Sequence, residues 1–248
     1  MSKDQQQTFF DATYAQDVRA PLDAFYTFSS ASLDRYHSIL EDYAPGKRIL
    51  EIGCGVGSNA LFMAQQGADT VIGIDISPAG IEHSQHIFAA AGLNNGVFAV
   101  MDAEALQFED NSFDLVVGTG VLHHLDLPVA LAEICRVLEK DGAIVFVEPL
   151  GYNPAINLFR SLTPQYRVED EYPFKRKALD LIRQHFAEVH LEYFYLLALL
   201  AAPFRRLPGY SRLLYWLSAV DSFLFHRIPG VSLLAWQVLI RASRPIQR

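Results

Sequence analysis

Cysteine is nearly absent from this sequence, since only Cys54 and Cys135 occur among its 248 residues. Two cysteines in this arrangement have neither the spacing of a metal site nor the number that a disulfide framework needs. The beginning of the chain, MSKDQQQTFFDA, lacks a basic region followed by an apolar core, so we expect no secretory signal. We therefore expect a cytoplasmic protein in which both cysteines are small buried thiols.

Long apolar runs and repeats are missing as well. The unbroken apolar run at residues 193–203 has eleven residues, and a helix needs about 20 to cross a bilayer. No repeat with a period of 20 to 50 residues suggests a solenoid, and no tract is of low complexity. Hydrophobic residues make up 51% of the chain and charged residues 19%, which is typical of a globular protein.

Positive charge is scarce outside the C-terminal segment. Residues 203–248 contain seven arginines and one acid, a balance of +6, so the other 202 residues must carry −14 of the net charge of −8. The acidic body argues against nucleic acid as the main partner. The basic and apolar C-terminal segment leaves peripheral membrane contact through residues 193–230 open.

Apolar strands alternate with amphipathic helices in the middle of the chain. We predict strands at residues 48–53, 70–77, 97–103, 113–122 and 143–149, and a helix over 128–142 before the last of them. This alternation predicts a parallel sheet that is covered by helices on both faces. Ligands of such sheets bind at the carboxyl ends of the strands.

The flanking regions follow different patterns. Residues 5–43 have helical periodicity, and after a long connection we predict a helix at 177–186, a strand at 188–196, a helical insertion and a last strand at 233–243. The expected fold class is therefore α/β, with seven strands in all. We divide the chain into an N-terminal helical segment (1–44), a ligand-binding core (45–150) and a C-terminal region (151–248).

The stretch LEIGCGVGSNA, residues 50–60, has glycine at every second position directly after an apolar strand. Glycine permits unusual backbone angles and lets the chain approach a ligand closely. A dinucleotide fold would use G-x-G-x-x-G, but Ser58 stands at the sixth position of that pattern. The observed pattern is E-x-G-x-G-x-G, in which Glu51 disfavours a pyrophosphate and favours a cation or hydrogen-bond donors.

Two further carboxylates follow the next strands. Asp75 ends the second predicted strand, where a carboxylate can hold both hydroxyls of a ribose. Asp102 ends the third predicted strand, where a carboxylate can accept a hydrogen bond from an adenine amino group. The fourth strand runs into the sequence GTGVLHHL.

In combination these motifs resemble the class I S-adenosylmethionine-dependent methyltransferases, the broad group that includes ubiquinone, menaquinone, sterol and small-molecule enzymes. The resemblance covers roughly residues 45–150, through LEIGCGVGSNALFMA, VIGIDIS, MDAEALQFEDNSFDLVV and EICRVLEKDGAIVFVEP. It implies a doubly wound, Rossmann-like, mostly parallel sheet, and S-adenosylmethionine as the cofactor. It also implies that residues 1–44 form a helical lid over the cofactor and that residues 151–248 form the acceptor side. The implied cofactor site consists of Glu51, Gly53, Cys54, Gly55, Gly57, Asp75, Ile76, Asp102, Ala103, Thr119, Gly120 and, from the lid, Tyr14.

Three residues are candidates for catalysis. His123 and His124 leave the fourth strand at its carboxyl end, and Glu148 leaves the fifth strand at the same edge. If the acceptor is a phenol or an alcohol, a base must remove its proton, and histidine is the best-matched side chain at neutral pH. Either histidine can instead be a packing residue, and Glu148 a structural acceptor. The remaining histidines show no ligand spacing, so we expect no metal.

The acceptor is expected to be a small apolar or aromatic molecule. The loop after the fifth strand borders the acceptor pocket in the family, and the predicted substrate contacts are Tyr26, Tyr152, Asn153, Tyr166 and Arg167. The apolar insertion favours a bulky acceptor, whether it forms a cap, a membrane contact or a subunit contact. The oligomeric state stays open.

Other functions compete with O-methylation. Methylation at nitrogen or carbon of a lipid-like, quinone or peptide acceptor is one alternative, and a non-catalytic S-adenosylmethionine-binding protein is another. A nicotinamide-dependent dehydrogenase is disfavoured by the missing sixth-position glycine and by the lack of a Tyr-x-x-x-Lys pair. An RNA acceptor is disfavoured by the acidic body.

Overall fold

A seven-stranded sheet organises the chain, and the computed structural model describes residues 3–16, 30–163 and 172–246. The strands run in the order β3-β2-β1-β4-β5-β7-β6. The first five are parallel, and β7 lies antiparallel to both of its neighbours. The strands are β1 (Arg48–Ile52), β2 (Thr70–Asp75), β3 (Gly96–Val100), β4 (Phe113–Thr119), β5 (Leu138–Pro149), β6 (Phe186–Phe194) and β7 (Gln237–Pro245). The predicted mostly parallel, seven-stranded α/β fold is confirmed.

Helices connect the strands and cover the sheet. They are α1 (Lys3–Gln16), α2 (Ser30–Tyr43), α3 (Ser58–Gln65), α4 (Pro78–Ala90), α5 (Leu127–Val137), α6 (Pro154–Leu162), α7 (Arg176–His185) and α8 (Tyr210–Arg227). Short 3₁₀ segments occur at Leu122–His124, Ala198–Phe204 and Val231–Leu234. Within the described ranges, no helix combines the length and the apolar character that crossing a bilayer requires.

Both faces of the sheet are buried under helices. Ile49 and Leu50 are neighbours in β1 and are fully buried, but they belong to two different apolar clusters. Leu50 packs in a cluster with Leu131 of α5 and Ile182 of α7, whereas Ile49 packs in a cluster that includes Tyr36 of α2. Because strand side chains alternate between faces, this split shows a sheet covered on both sides.

The predicted helix over 128–142 was wrong at residues 138–142, because α5 ends at Val137 and β5 begins at Leu138. The backbone N–H groups of Asn111 and Ser112 donate to the carbonyls of Arg136 and Val137 at 3.0 and 2.8 Å. In a continuing helix those carbonyls would accept from residues 140 and 141. The chain that leads into β4 therefore takes the acceptors that the helix would need.

The predicted last strand at 233–243 was displaced for a similar local reason. Residues Val231–Leu234 form a 3₁₀ segment, and strand pairing starts at Gln237 and continues to Pro245. The predicted strands 70–77, 97–103 and 113–122 are also longer than β2, β3 and β4, whose carboxyl ends turn into loops. The division at residues 45 and 150 stays a prediction, since β6 and β7 join the same sheet as the core.

The strand order reverses next to β1. The chain runs from β1 outward to β2 and β3 and then returns to β4 on the other side of β1. At such a switch point the loops that leave the two central strands diverge, and a crevice opens at their carboxyl ends. The loops after β1, β2 and β4 meet there.

Candidate active site

The glycine turn after β1 has left-handed backbone angles at each of its three glycines. The φ angles of Gly53, Gly55 and Gly57 are +66°, +52° and +79°. A Cβ on Gly53 would lie 2.7 Å from a methyl carbon of Val121, so the turn packs directly against the loop after β4. A Cβ on Gly55 would lie 2.9 Å from the hydroxyl of Tyr14 in α1. The glycines therefore serve the close approach of three separate chain segments.

We expect Gly53→Ala to destabilise the fold more than Gly67→Ala does. Gly67 also has a positive φ, +88°, but a Cβ there meets nothing within 4 Å. Gly67→Ala therefore reports backbone strain alone, whereas Gly53→Ala adds overpacking against the stiff Val121 side chain, which costs about 1–3 kcal/mol. Chemical denaturation measures the free energy of unfolding of each variant. Equal losses would show that the turn can move away from Val121.

A cavity opens at the switch point, with a volume of about 150 Å³. Its floor and walls come from the carboxyl ends of the central strands, and its cover comes from α1. Asp75 and Asp102 both line it, so the structure brings together the two acids that the sequence singled out. Of the other predicted cofactor residues, those that line the cavity are Gly53, Ile76, Ala103, Thr119, Gly120 and Tyr14.

Asp75 is buried at the end of β2 and is held in place by the backbone. Its carboxylate accepts N–H bonds from Gly55 and Ser77, both at 2.9 Å. Burial raises the pKa of Asp75, although these N–H groups oppose the shift. The carboxylate is therefore a fixed acceptor that links the glycine turn to the loop after β2.

Asp102 lies in the turn after β3 and forms an ion pair with Lys3 of α1. Lys3 also pairs with Glu104 at 2.8 Å, and the Asp102 carboxylate accepts the Glu104 N–H at 2.9 Å. An amino group bound at Asp102 would compete with Lys3 for the same carboxylate. The first turn of α1 thus closes this end of the cavity.

One face of α1 covers the cavity. Lys3, Gln6, Phe10 and Tyr14 line it and follow one another at steps of three and four residues. Such steps place side chains on the same face of a helix. Asp11 lies on the same helix and accepts hydrogen bonds from the Ser77 hydroxyl and, at 3.3 Å, from the Ala79 N–H. A carboxylate is stabilised at a helix N-terminus, and this contact fixes α1 to α4.

Glu51 is buried behind the glycine turn, with 1% of its surface exposed, and does not line the cavity. Burial raises the pKa of its carboxyl to about 8, while hydrogen bonds from Asn59 and from the Ala60 backbone oppose the shift. Among the described residues, its Oε2 has no hydrogen-bond partner. Glu51 is therefore neutral below a pH of about 8, and above it becomes a buried charge that destabilises the fold.

We expect the stability of the protein to fall as the pH rises from about 4.5 to about 8, in part because of Glu51. In that window the folded state retains the proton that the unfolded state has lost, so the free energy of unfolding decreases by up to about 1.4 kcal/mol per pH unit. Glu51→Gln should remove this component and raise stability at pH 8. Exposed Glu82→Gln is the matched control, and denaturation across the pH range is the measurement. An unchanged slope in Glu51→Gln would contradict the assignment.

His123 and Glu148 form a buried pair at the ends of β4 and β5. The His123 Nδ1 lies 2.7 Å from Glu148 Oε2, and Glu148 has no exposed surface. Glu148 Oε1 also accepts the N–H groups of Val121 and Leu122 at 3.0 and 2.8 Å. Because a carboxylate only accepts hydrogen bonds, the Nδ1 of a neutral His123 carries the proton and its Nε2 keeps a lone pair. This is the tautomer that a general base needs.

The two histidines face different cavities. His124 lines the cavity under α1 and makes an edge contact with Phe10, at 5.5 Å between ring centres. His123 lines a second cavity of about 640 Å³, between the loop after β4, α6 and the start of α7. Leu125 lines both cavities, and the two histidine rings are 4.0 Å apart. The 3₁₀ turn Leu122–His124 therefore separates two adjoining spaces.

The His123 ring is also close to the first cavity. A Cβ on Gly120, which lines that cavity, would lie 3.9 Å from His123 Cε1, the carbon between the two ring nitrogens. The second cavity has a mixed lining. Its apolar side is formed by Leu122, Leu125, Leu127, Pro173, Phe174 and Ala178, and its cationic side chains are Arg160, Lys175 and Lys177.

Several predicted site residues lie elsewhere. Cys54 is buried beside Gly73, where burial raises the pKa of its thiol, and it does not line the cavity. Gly55 is covered by Tyr14 and Gly57 by Ser84, so neither glycine lines the cavity. Tyr26, Tyr166 and Arg167 lie outside the described residues.

Two predicted substrate contacts line neither cavity. The Asn153 amide is fully engaged, because its oxygen caps α6 at the Ile156 N–H and its nitrogen donates to the Leu234 carbonyl at 2.8 Å. The structure thus gives Asn153 a role in fixing α6 to the segment before β7. Tyr152 has 39% of its surface exposed beside it.

Sequence reasoning missed several residues that line the cavities. In the first cavity they are Lys3, Gln6, Phe10, Ile52, Ile74, Met101, Val121 and Leu125. The helical spacing of Lys3, Gln6 and Phe10 with Tyr14 was a usable signal, because a lid helix must present one face. The lining of the second cavity had no such signal, since α6 and α7 are brought together only by the fold. In the described part of the chain, no group of three or more potential metal ligands is assembled.

Comparisons with known proteins agree with this geometry. Residues 50–146, less than half of the chain, match the family model of the methyltransferase domain. The chain is 32% identical over 145 residues to the phthiotriol/phenolphthiotriol dimycocerosates methyltransferase of Mycobacterium leprae, covering 56% of this chain and 53% of that protein. It is 33% identical over 130 residues to a ubiquinone biosynthesis O-methyltransferase of Neisseria meningitidis, covering 50% and 52%. The chain thus spans about half the length of these curated relatives.

A solved structure extends the likeness to the whole fold. The crystal structure of magnesium protoporphyrin IX methyltransferase from Synechocystis, with bound SAH, matches with a TM-score of 0.67 and 15% identity. The match covers 98% of this chain and all of that one, 100%. At this identity the likeness shows a common fold. Residues 50–146 are therefore similar to the methyltransferase domain, and the fold is that of the class I methyltransferases.

Proposed function

We propose that this protein is an S-adenosylmethionine-dependent methyltransferase that methylates an oxygen atom of a small apolar or aromatic molecule. The observation that carries the proposal is the position of the His123–Glu148 pair between two adjoining cavities. One cavity has the carboxylates that a nucleoside requires, and the other is large and partly apolar. The name of the Neisseria relative, an O-methyltransferase, supports oxygen as the methylated atom.

The residues of the first cavity fit the cofactor. Asp75 would hold the ribose hydroxyls with its fixed carboxylate, and Asp102 would accept from the adenine amino group; both residues line the cavity. Ile76 and Met101 provide apolar walls for a flat base. The unpartnered Oε2 of Glu51, behind the glycine turn, fits a positively charged amine near that turn, because a cation would stabilise the ionised carboxyl. When bound, S-adenosylmethionine supplies a methyl group on a positively charged sulfur.

His123 has the part of the general base in this proposal. Glu148 holds the proton on Nδ1, so Nε2 carries the lone pair that would accept the proton of an acceptor hydroxyl. The buried carboxylate then stabilises the imidazolium that forms. His124, with Phe10, borders the cofactor cavity and helps to shape it. The α1 helix excludes water from the reacting atoms, and positioning supplies much of the remaining rate.

The second cavity is the proposed acceptor site. Its leucines and Phe174 suit a ring or an alkyl chain, and its volume of about 640 Å³ is in the range of small-molecule sites. The relative from Mycobacterium leprae is named for phthiotriol and phenolphthiotriol dimycocerosates, and the Neisseria relative for ubiquinone biosynthesis. We infer an acceptor with a comparably apolar body and a hydroxyl group. The free thiols of Cys54 and Cys135 support a reducing, cytoplasmic location.

Two alternatives are separated by one assay. The protein is incubated with S-adenosylmethionine carrying a radioactive methyl group and with a panel of phenols, quinols, lipid-like alcohols, amines and peptides. Label on the oxygen of an acceptor supports the proposal. Label only in amines, peptides or at carbon positions would show that the methylated atom is not oxygen. Cofactor binding without transfer to any member of the panel would favour a non-catalytic binding protein.

A further inference from the structure

An exposed aromatic surface lies on α8 and on the segments that flank it. Tyr215, Trp216 and Phe223 have 70%, 67% and 60% of their surface exposed. We define the aromatic surface as these three residues together with Leu200, Phe204, Leu207, Leu213, Val220 and Ile228, all of which are exposed. Leu213, Trp216, Val220 and Phe223 follow one another at steps of three and four, so they form one stripe along the helix. A continuous apolar stripe of this kind marks an interaction site.

The opposite face of α8 already fixes the helix to the protein. Leu214 and Leu217 pack against a cluster that contains Tyr195 and Trp236. Asp221 is buried and accepts the N–H groups of three successive residues, 196–198, at 2.7–3.0 Å. The outer stripe is therefore not required to hold α8 in place. A helix that is apolar on both faces is unusual at the surface of a globular protein.

Four arginines lie along the segment that carries the aromatic surface, and residues 203–248 contain no exposed acid. Arg205, Arg206, Arg212 and Arg227 are exposed, and the single acid of residues 203–248 is the inward-facing Asp221. In the ranges that the structure describes, none of these four arginines forms a salt bridge with a carboxylate. The remainder of the chain is strongly acidic. The segment that carries the aromatic surface is thus basic, whereas the rest of the chain is acidic.

We propose that this surface binds peripherally to a bilayer that contains anionic lipids. Arginine guanidinium groups pair with lipid phosphates, and tryptophan and tyrosine side chains favour the interface between headgroups and acyl chains. The occupant that competes with a bilayer is a second copy of the chain. A symmetric dimer through this surface would place the same patch on both sides, so the arginines of the two copies would face each other. The bilayer alone complements both the charge and the aromatic stripe.

The proposal goes beyond methyl transfer and does not depend on it. Membrane contact is measured with the full chain and no acceptor, so its failure leaves the proposed activity untouched. If both hold, the protein works where an apolar acceptor is concentrated.

The test is co-sedimentation with vesicles of phosphatidylcholine alone and of phosphatidylcholine mixed with phosphatidylglycerol. We expect at least tenfold stronger binding to the anionic vesicles, lost at high salt because the phosphate contacts are screened. The variants Trp216→Ala/Phe223→Ala and Arg212→Glu/Arg227→Glu should each reduce binding at least tenfold. Exposed residues elsewhere supply the controls, Val97→Ser for the apolar pair and Lys140→Glu for the charge reversal.

Three outcomes would overturn the proposal. The first is that the wild-type chain stays in the supernatant with anionic vesicles, and the second is that the surface variants sediment like wild type. The third is a dimer in light scattering that the same variants dissociate, which would make the surface a subunit interface. Unchanged thermal unfolding and unchanged titration with S-adenosylhomocysteine show that a variant retains its fold and its cofactor site.

Discussion

We expect replacement of Glu148 by glutamine to lower kcat by about 10²–10⁴-fold, because general base catalysis supplies a rate factor in this range. The amide oxygen can still accept the N–H groups of Val121 and Leu122. The amide nitrogen, however, must donate to His123 Nδ1, which moves the ring proton to Nε2. The histidine then has no lone pair to offer the acceptor. The measurement is steady-state kinetics over pH with an acceptor found in the panel.

The control for this substitution is Glu41→Gln, an exposed glutamate on α2. His123→Gln should lose about as much activity as Glu148→Gln, and the double variant little more, because the two residues act as a unit. His124→Gln should keep the pH profile of the wild-type enzyme. Near-normal kcat in Glu148→Gln, with S-adenosylhomocysteine binding intact, would remove the pair from the mechanism and leave Glu148 as a structural acceptor.

Asp75→Asn is expected to weaken binding of S-adenosylmethionine and S-adenosylhomocysteine by about 100-fold or more. Hydrogen bonds to a charged group contribute about 1.5–3 kcal/mol each, and about 1.4 kcal/mol is a factor of ten in affinity. Asparagine retains one acceptor oxygen for Gly55 or Ser77, but its amide nitrogen faces the other N–H group, so we also expect some loss of stability. The carboxylate that would receive the ribose hydroxyls is lost.

Asp69→Asn is a matched control, since Asp69 is exposed just before the opposite end of the same strand. Calorimetric titration gives the dissociation constants, and chemical denaturation shows whether the fold is intact. If Asp75→Asn binds the cofactor as tightly as Asp69→Asn does, the ribose does not lie at Asp75. The nucleoside would then have to be placed elsewhere in the cavity.

The sheet and the position of two acids at its carboxyl edge were predictable from sequence because both depend on local pattern. A buried parallel strand is a short apolar run, and the residue that ends it must lie at the carboxyl edge. Asp75 and Asp102 were assigned from that rule alone, and they line one cavity. Thr119 and Gly120, which line the same cavity, were assigned from the family resemblance instead.

What the sequence could not provide depends on contacts between distant segments. The end of α5 is set by hydrogen bonds from Asn111 and Ser112, which lie a strand away along the chain. The two adjacent histidines look equivalent in sequence, and only the turn Leu122–His124 separates them, with His123 on Glu148 and His124 under α1. Asn153 has a polar side chain that could contact a substrate, but its oxygen instead caps α6 by accepting the Ile156 N–H. Such choices follow from which partners the fold brings near.

Calorimetric titration of the full wild-type chain with S-adenosylmethionine and with S-adenosylhomocysteine tests the proposed cofactor site. We expect saturable binding of both compounds at one site, and competition between them. A nicotinamide dinucleotide, titrated in the same way, should give no heat of binding. Binding of the nicotinamide compound instead, or of none of the three, would contradict a methyltransferase cofactor site at the end of β1 and β2.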